Sequence, residues 1–192
     1  MAVQVEIFSD FTCPFCYVTE AALRRAAAET GAEVRHRAFE LYPVPAPLPL
    51  DAGMEWEAAL APLAAEAGVA LRRPGYQSRT RKAHEAARFA RERGLEAEMR
   101  AAVFAAYFAG GLDVGRIDVL VELGEALGLD RTELKVVLDI DRHTGAVLAD
   151  EALAERGGIR SVPVLVAGSG PGAEVLVGAQ SYAALRDAVA GR

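Results

Sequence analysis

Cys13 and Cys16 are the entire thiol inventory of this 192-residue chain, and they stand three apart in Cys13-Pro14-Phe15-Cys16. Two thiols at that spacing can exchange a disulfide: one attacks, and the other resolves the resulting mixed disulfide. The attacking species is the thiolate, and a free thiol with a pKa near 8.5 is only about 3% thiolate at pH 7. A helix N-terminus favours the charged form, because its orphan N–H groups and dipole attract negative charge. Pro14 suits that first turn, where its missing N–H would have no helical partner. Cys13 is the expected nucleophile. Cys16, one turn further in and less exposed, is the expected resolving thiol.

Two plainer readings stand beside this one. A structural zinc usually takes four ligands and C-x-x-C offers two; His36, His84 and His143 are scattered and form no H-x₃₋₅-H pair, so no metal site is expected. Two inert core cysteines would be ordinary, but that reading accounts neither for Pro14 nor for a position between a strand and a helix.

The elements that must hold the dithiol follow from the pattern. An apolar run at 3–8 reads as a strand, an alanine-rich stretch at 19–30 as a helix closed by Gly31, and 33–39 as a second strand. Pro43, Pro45, Pro47 and Pro49 then alternate through a segment expected to be extended and stiff, leading into a helical insertion. Helical patterns fall at 54–67, 78–93, 95–109, 116–127 and 131–139, punctuated by glycines. Met54, Trp56, Met99, Phe104, Tyr107 and Phe108 are expected in its core or interfaces. A helix at 144–156, strands at 162–167 and 174–177 and a helix at 181–189 return the chain to α/β character. The order is βαβ, helical block, α, ββα: an α/β sheet in two halves around a helical insertion.

Composition bounds the function. Half the residues are hydrophobic (52%), which supports a substantial core. Twenty-one basic against 27 acidic residues give a net charge of −6, so no nucleic-acid footprint is expected. Arg72-Arg73 and Arg79-Thr80-Arg81-Lys82 are the only basic concentration and read as a solvated helix face. No leader pattern precedes the first strand and no run nears eighteen apolar residues, so a cytoplasmic protein with no membrane partner is expected. There a C-x-x-C beside a strand–helix unit is more often catalytic than structural.

Pro163 opens the apolar run Val162-Pro163-Val164-Leu165-Val166. It can simply start a strand, where a missing ladder donor costs nothing. Alternatively it is a cis-proline whose predecessor, Val162, offers backbone groups to a substrate strand.

With Cys13-Pro14-Phe15-Cys16 after a first strand and Ser161-Val162-Pro163 before a late one, the chain resembles a thioredoxin-fold oxidoreductase, and its large insertion is similar to that of the DsbA family. The runs from Ser9 to Tyr17, Ala38 to Leu41, Arg81 to Glu85, Ala106 to Phe108 and Gly178 to Gln180 resemble the FrnE-like branch of that family. The resemblance implies a thioredoxin fold with a large all-helical insertion between the N-terminal βαβ and C-terminal ββα parts. Residues 1–45 and 141–192 would form the thioredoxin-like domain and 46–140 the inserted domain. It implies a thiol–disulfide oxidoreductase: Cys13 as nucleophile, Cys16 as resolving thiol, Pro163 as cis-proline, and Pro14, Phe15 and Val162 against the substrate. Cysteine-containing proteins or small disulfides would be the partners. No tightly bound cofactor is expected, with glutathione a candidate co-substrate; the oligomeric state is open. Two departures are visible: the family's Asn after Phe-Glu-Leu is Tyr42 here, and its usual Trp between the cysteines is Phe15.

The alternative is a glutathione-dependent isomerase or transferase of the 2-hydroxychromene-2-carboxylate isomerase or kappa type, which resembles the same scaffold. Those enzymes look to use a serine where Cys13 stands, so a second cysteine weighs against it. A third reading is a redox-sensing or holdase module. Among other polar residues, Asp10 could cap the helix or tune Cys13, His84 could line the cleft or be structural, and Glu40 could accept the Cys16 proton. Gln180 and Ser181 precede the last helix, where Ser181 reads as a cap.

Overall fold

The computed structural model describes residues 3–49 and 55–191. Strand β1 (Gln4–Ser9) enters the fold with side chains alternating between two apolar faces. Val5 and Ile7 pack against helices α1 (Pro14–Thr30) and α8 (Tyr182–Ala190), whereas Phe8 meets Ala154 of helix α7 (Thr144–Arg156) on the other side. Strand β2 (Glu33–Ala38) lies parallel to β1, as a helical crossover requires. Strands β3 (Val164–Ala167) and β4 (Glu174–Val177) add on antiparallel, giving the order β2-β1-β3-β4. The register sets Ile7 opposite both His36 and Leu165.

The termini of these elements follow local chemistry. Gly31 takes a left-handed φ of 72° and donates to the Ala27 carbonyl, ending α1 where only glycine is unstrained. Ser181 caps α8, its hydroxyl accepting the Ala184 N–H at 3.3 Å.

Between β2 and α7 the chain forms helices α2 (Glu57–Ala67), α3 (Arg81–Arg91), α4 (Glu96–Phe108), α5 (Ile117–Ala126) and α6 (Arg131–Asp139). Each lies within the range that the periodicity implies, except that the expected start at Met54 falls outside the described residues. These helices do not form a core of their own. The largest apolar cluster joins Phe11, Cys16, Tyr17 and Val18 to Phe89, Met99, Phe104 and Leu134. Tyr17 stacks on Phe104 and Phe108 at 5.3 and 5.4 Å, and Trp56 meets Phe108 edge-on at 6.2 Å.

Two expectations are corrected. The proline segment is not a stiff rod: Pro43–Ala46 is a turn with a cis Val44–Pro45 bond and an Ala46 N–H to Pro43 carbonyl bond of 2.8 Å. Of the basic cluster, Arg72 and Arg73 are exposed as expected, but residues 79–82 are not a solvated face. Arg79 donates to the Tyr42 and Ala46 carbonyls at 2.6 and 2.7 Å, Arg81 pairs with Glu40, and Lys82 pairs with Glu85 and Asp141. These cations tether the loop after β2 and the end of α6 to α3.

The firmest tether is Asp150 on α7, nearly fully buried. Its carboxylate accepts the Ala38 N–H at 3.0 Å and the Arg37 guanidinium at 3.0 Å from β2, and pairs with Arg88 of α3. One carboxylate therefore joins the sheet edge to both helical layers. Removing it strands the largely buried Arg88, while Arg37 keeps its pairing with Glu6; breaking such a buried pair typically costs about 3–5 kcal/mol. Asp150→Ala should lower the urea-unfolding free energy by about that much; a change below roughly 1 kcal/mol would show that apolar packing alone aligns the layers.

Candidate active site

β1 delivers the chain to a short turn, Asp10–Thr12, and Cys13 then caps α1. Cys13 adopts an extended φ, ψ of −91°, 114°, and its own Sγ accepts the Cys16 N–H at 3.4 Å. The sulfur thus fills the role that a Ser or Asp oxygen fills in other helices. Pro14 occupies the first turn, and Phe15 lies half-buried against the large apolar cluster. Both thiols are free; Cys13 is 4% exposed and Cys16 is fully buried. Burial, and then the neighbouring Cys13, push the Cys16 thiol up, so it holds its proton at neutral pH.

The second wall comes from the far end of the chain. The Val162–Pro163 bond is cis, and β3 starts at the next residue, so Pro163 is both a cis-proline and the residue that leads into a strand. Because Val164 pairs with Phe8, the Val162 carbonyl arrives over the dithiol, where the Cys13 thiol donates to it at 3.5 Å. Cys13, Cys16, Phe15, Val162 and Pro163 are brought together.

Asp10 and His84 lie behind the dithiol. Asp10 is not the helix cap: Cys13 is. The Asp10 main-chain carbonyl accepts the Cys13 N–H at 3.2 Å, and its buried carboxylate accepts the Thr12 and Leu41 N–H groups at 3.3 and 2.6 Å. It braces the Cys13 turn against the segment after β2. Burial pushes its carboxyl up to about 6, with the Glu40 charge adding to the effect. His84, on α3, does not line the cleft. It is buried with its ring against Phe11 at 4.8 Å and Nε2 4.0 Å from Asp10, and neither ring nitrogen has a hydrogen-bond partner of good geometry. Burial, then the Arg100 and Arg88 charges, hold it well below the usual histidine range, so it is neutral.

Sequence reasoning passed over a buried acid whose charge reaches Cys16. Glu40, the expected proton acceptor, is engaged with Arg81, and with burial it pushes the Glu151 carboxyl up to about 7. The acid whose charge Cys16 feels is Glu20, one turn along the same helix. Glu20 is buried, which alone would raise its carboxyl, yet the Arg100 guanidinium holds it below the ordinary range. Arg100 donates to Glu20 at 2.7 and 2.5 Å and to the Ser9 hydroxyl at 2.6 Å, and lies 4.6 Å over the Phe11 ring. The available signal was a Glu on the buried stripe of α1 and an Arg on that of α4. Tyr42 also borders the site: burial, then the Asp10 and Cys13 charges, keep its phenol protonated. Among the described residues no group of three or more His, Cys, Asp or Glu gathers as a metal centre would, and no helix is long and apolar enough to cross a membrane.

A dithiol at a helix N-terminus, beside a cis-proline at the end of the neighbouring strand of a four-stranded sheet, defines a thioredoxin-like site. The chain belongs to the DSBA-like thioredoxin domain family, whose pattern matches residues 4–190. It is similar to a crystal structure named a probable DsbA oxidoreductase from Streptomyces coelicolor, at 32% identity and a TM-score of 0.83 over 98% of this chain and 89% of that one. The fold is shared at lower identity with the cytosolic disulfide reductase DsbM of Pseudomonas aeruginosa with GSH (23%, TM-score 0.70, 90% and 89% covered). It is likewise shared with a 2-hydroxychromene-2-carboxylate isomerase (20%, TM-score 0.71, 91% and 88% covered).

Asp10 has a consequence for stability. The folded carboxyl keeps its proton to about pH 6, whereas the value without burial is 3.8. Between these values the folded state binds the extra proton, so this group's contribution falls as pH rises through that window. About two pH units correspond to on the order of 3 kcal/mol. Relative to the parent, Asp10→Asn should therefore gain roughly that amount between pH 4 and pH 7 in urea unfolding. A pH-independent difference would show that Asp10 titrates like an exposed carboxylate.

Proposed function

We propose that this protein is a thiol–disulfide oxidoreductase acting on cysteine-containing proteins or small disulfides. The observation that carries the reading is Cys13 Sγ held at the α1 N-terminus by the Cys16 N–H, with the Val162 carbonyl 3.5 Å away. The Cys13 thiolate attacks a substrate sulfur, the substrate disulfide breaks, and one substrate thiol leaves with a proton. Cys16 then gives up its proton and attacks Cys13, releasing the second substrate thiol and leaving a Cys13–Cys16 disulfide. Two electrons have passed to the substrate; the reverse sequence oxidises a dithiol. Val162 offers main-chain groups to an extended substrate, in the manner of an added strand. Glutathione is the candidate co-substrate for regenerating the dithiol, a reading supported by the DsbM likeness. The cytoplasm is the compartment proposed.

The isomerase-type alternative gains support from the shared fold, but it has no use for Cys16. A step completed by one sulfur leaves the second idle, whereas the thiol–disulfide reading uses both cysteines of the motif.

Insulin reduction and scrambled-ribonuclease refolding should both be lost in Cys13→Ser, while Cys16→Ala should accumulate mixed disulfides that mass spectrometry identifies at Cys13. A Cys13→Ser protein as active as the parent would overturn the reading; full activity without Cys16 would favour the isomerase type.

Phe15 brings no charge to the dithiol, unlike a histidine at that position, which stabilises the reduced form. The reduction potential should fall at roughly −180 to −230 mV, away from the strong-oxidant value near −120 mV. Equilibration against glutathione buffers measures it. A value above about −140 mV would mean that something other than the intervening dipeptide sets the balance.

A further inference from the structure

A cavity lies beside the dithiol helix, apart from the thiol mouth. It encloses about 660 Å³ and is walled by α1 and α4, with Val34 and His36 of the edge strand β2 beneath. Its walls are helical stripes of small residues: Ala21, Ala27 and Ala28 on α1 face Ala97, Ala101 and Ala105 on α4. Well-packed helices fill such a seam with Leu or Ile. These methyl groups are too short to meet, and the space they leave is of the size that holds a small molecule.

The polar lining decides which kind. Glu20 is engaged by Arg100. Glu96 is held by Arg91 at 2.6 and 2.7 Å, so that despite burial its carboxyl is held down to about 2 by His36 and Arg91. The His36 Nδ1 is sealed from the space. These groups answer one another and ask nothing of a ligand. Arg24 differs: it is exposed at the rim, makes no hydrogen bond or ion pair among the described residues, and lies close enough to Tyr17 for its charge to be felt at the phenol. The net unanswered charge of the lining is therefore one positive, on the rim of an apolar trough.

We propose that this trough is a binding site for an amphipathic monocarboxylate, with the carboxylate on Arg24 and the apolar body between the alanine stripes of α1 and α4. The paired acids of the lining disfavour a cationic headgroup, and the trough's length along two helices suits an alkyl or flat aromatic body.

Dodecanoate tests this below its micellar range, by titration calorimetry on the full chain with dodecyltrimethylammonium as the cationic control. The parent should bind one dodecanoate saturably and the cation at least about fivefold more weakly. Arg24→Glu, an exposed change that spares the fold, should weaken dodecanoate at least about fivefold. Ala101→Phe, which fills the trough, should abolish binding. Absence of saturable binding, equal affinity for both headgroups, or an unchanged Arg24→Glu would each overturn the proposal. So would a parent dimer that Ala101→Phe dissociates, since the trough would then be an interface between copies.

Discussion

A helix must satisfy its first amides, and in this chain the group that satisfies one of them is a sulfur. Cys13 caps α1 through Sγ, with Pro14 occupying a position that needs no donor. That arrangement fixes where β1 must end, which way α1 leaves the sheet, and hence where Cys16 is buried. The Asp10 carbonyl and carboxylate brace the turn, and the cis-proline segment closes over it. The remainder of the fold can be seen as the apparatus that keeps these three strands of chain in register.

Charge inside the molecule serves that alignment. Asp150 gathers Arg37 and Arg88, Glu20 gathers Arg100 and Ser9, and α3 contributes cations to carbonyls and acids on three sides. Each cluster joins segments far apart in sequence. Buried pairs rarely add net stability over apolar packing, but breaking one is costly, so they specify a single arrangement of the layers. For a site built from residues about 150 positions apart, that specificity is what matters.

Much of this was legible beforehand. The period-2 and helical patterns place β1, β2, β4 and α6–α8 within a residue or two, because apolar spacing and flanking glycines or caps mark their limits locally. Cys13, Pro14 and Cys16 announce their chemistry by type and spacing. Other features were invisible for a physical reason: their partners are remote. Arg79, Arg81 and Lys82 look like a solvated patch until Tyr42, Glu40 and Asp141 arrive beside them. Glu20 looks like one charge in an alanine-rich helix until Arg100 of α4 covers it. The proline run looks stiff, yet Arg79 holds it as a turn. Glu40 looks unattached until Arg81 arrives beside it. The shortness of the alanines along α1 and α4 likewise reads as helix propensity, not as space.

Cys13 is only 4% exposed, roofed by the Val162 carbonyl. A roof made of main chain acts as a slot, not as a pocket for any one side chain. With so little of the sulfur open, anything that meets it has to arrive edge-on past that carbonyl, so girth limits the approach more than side-chain type does.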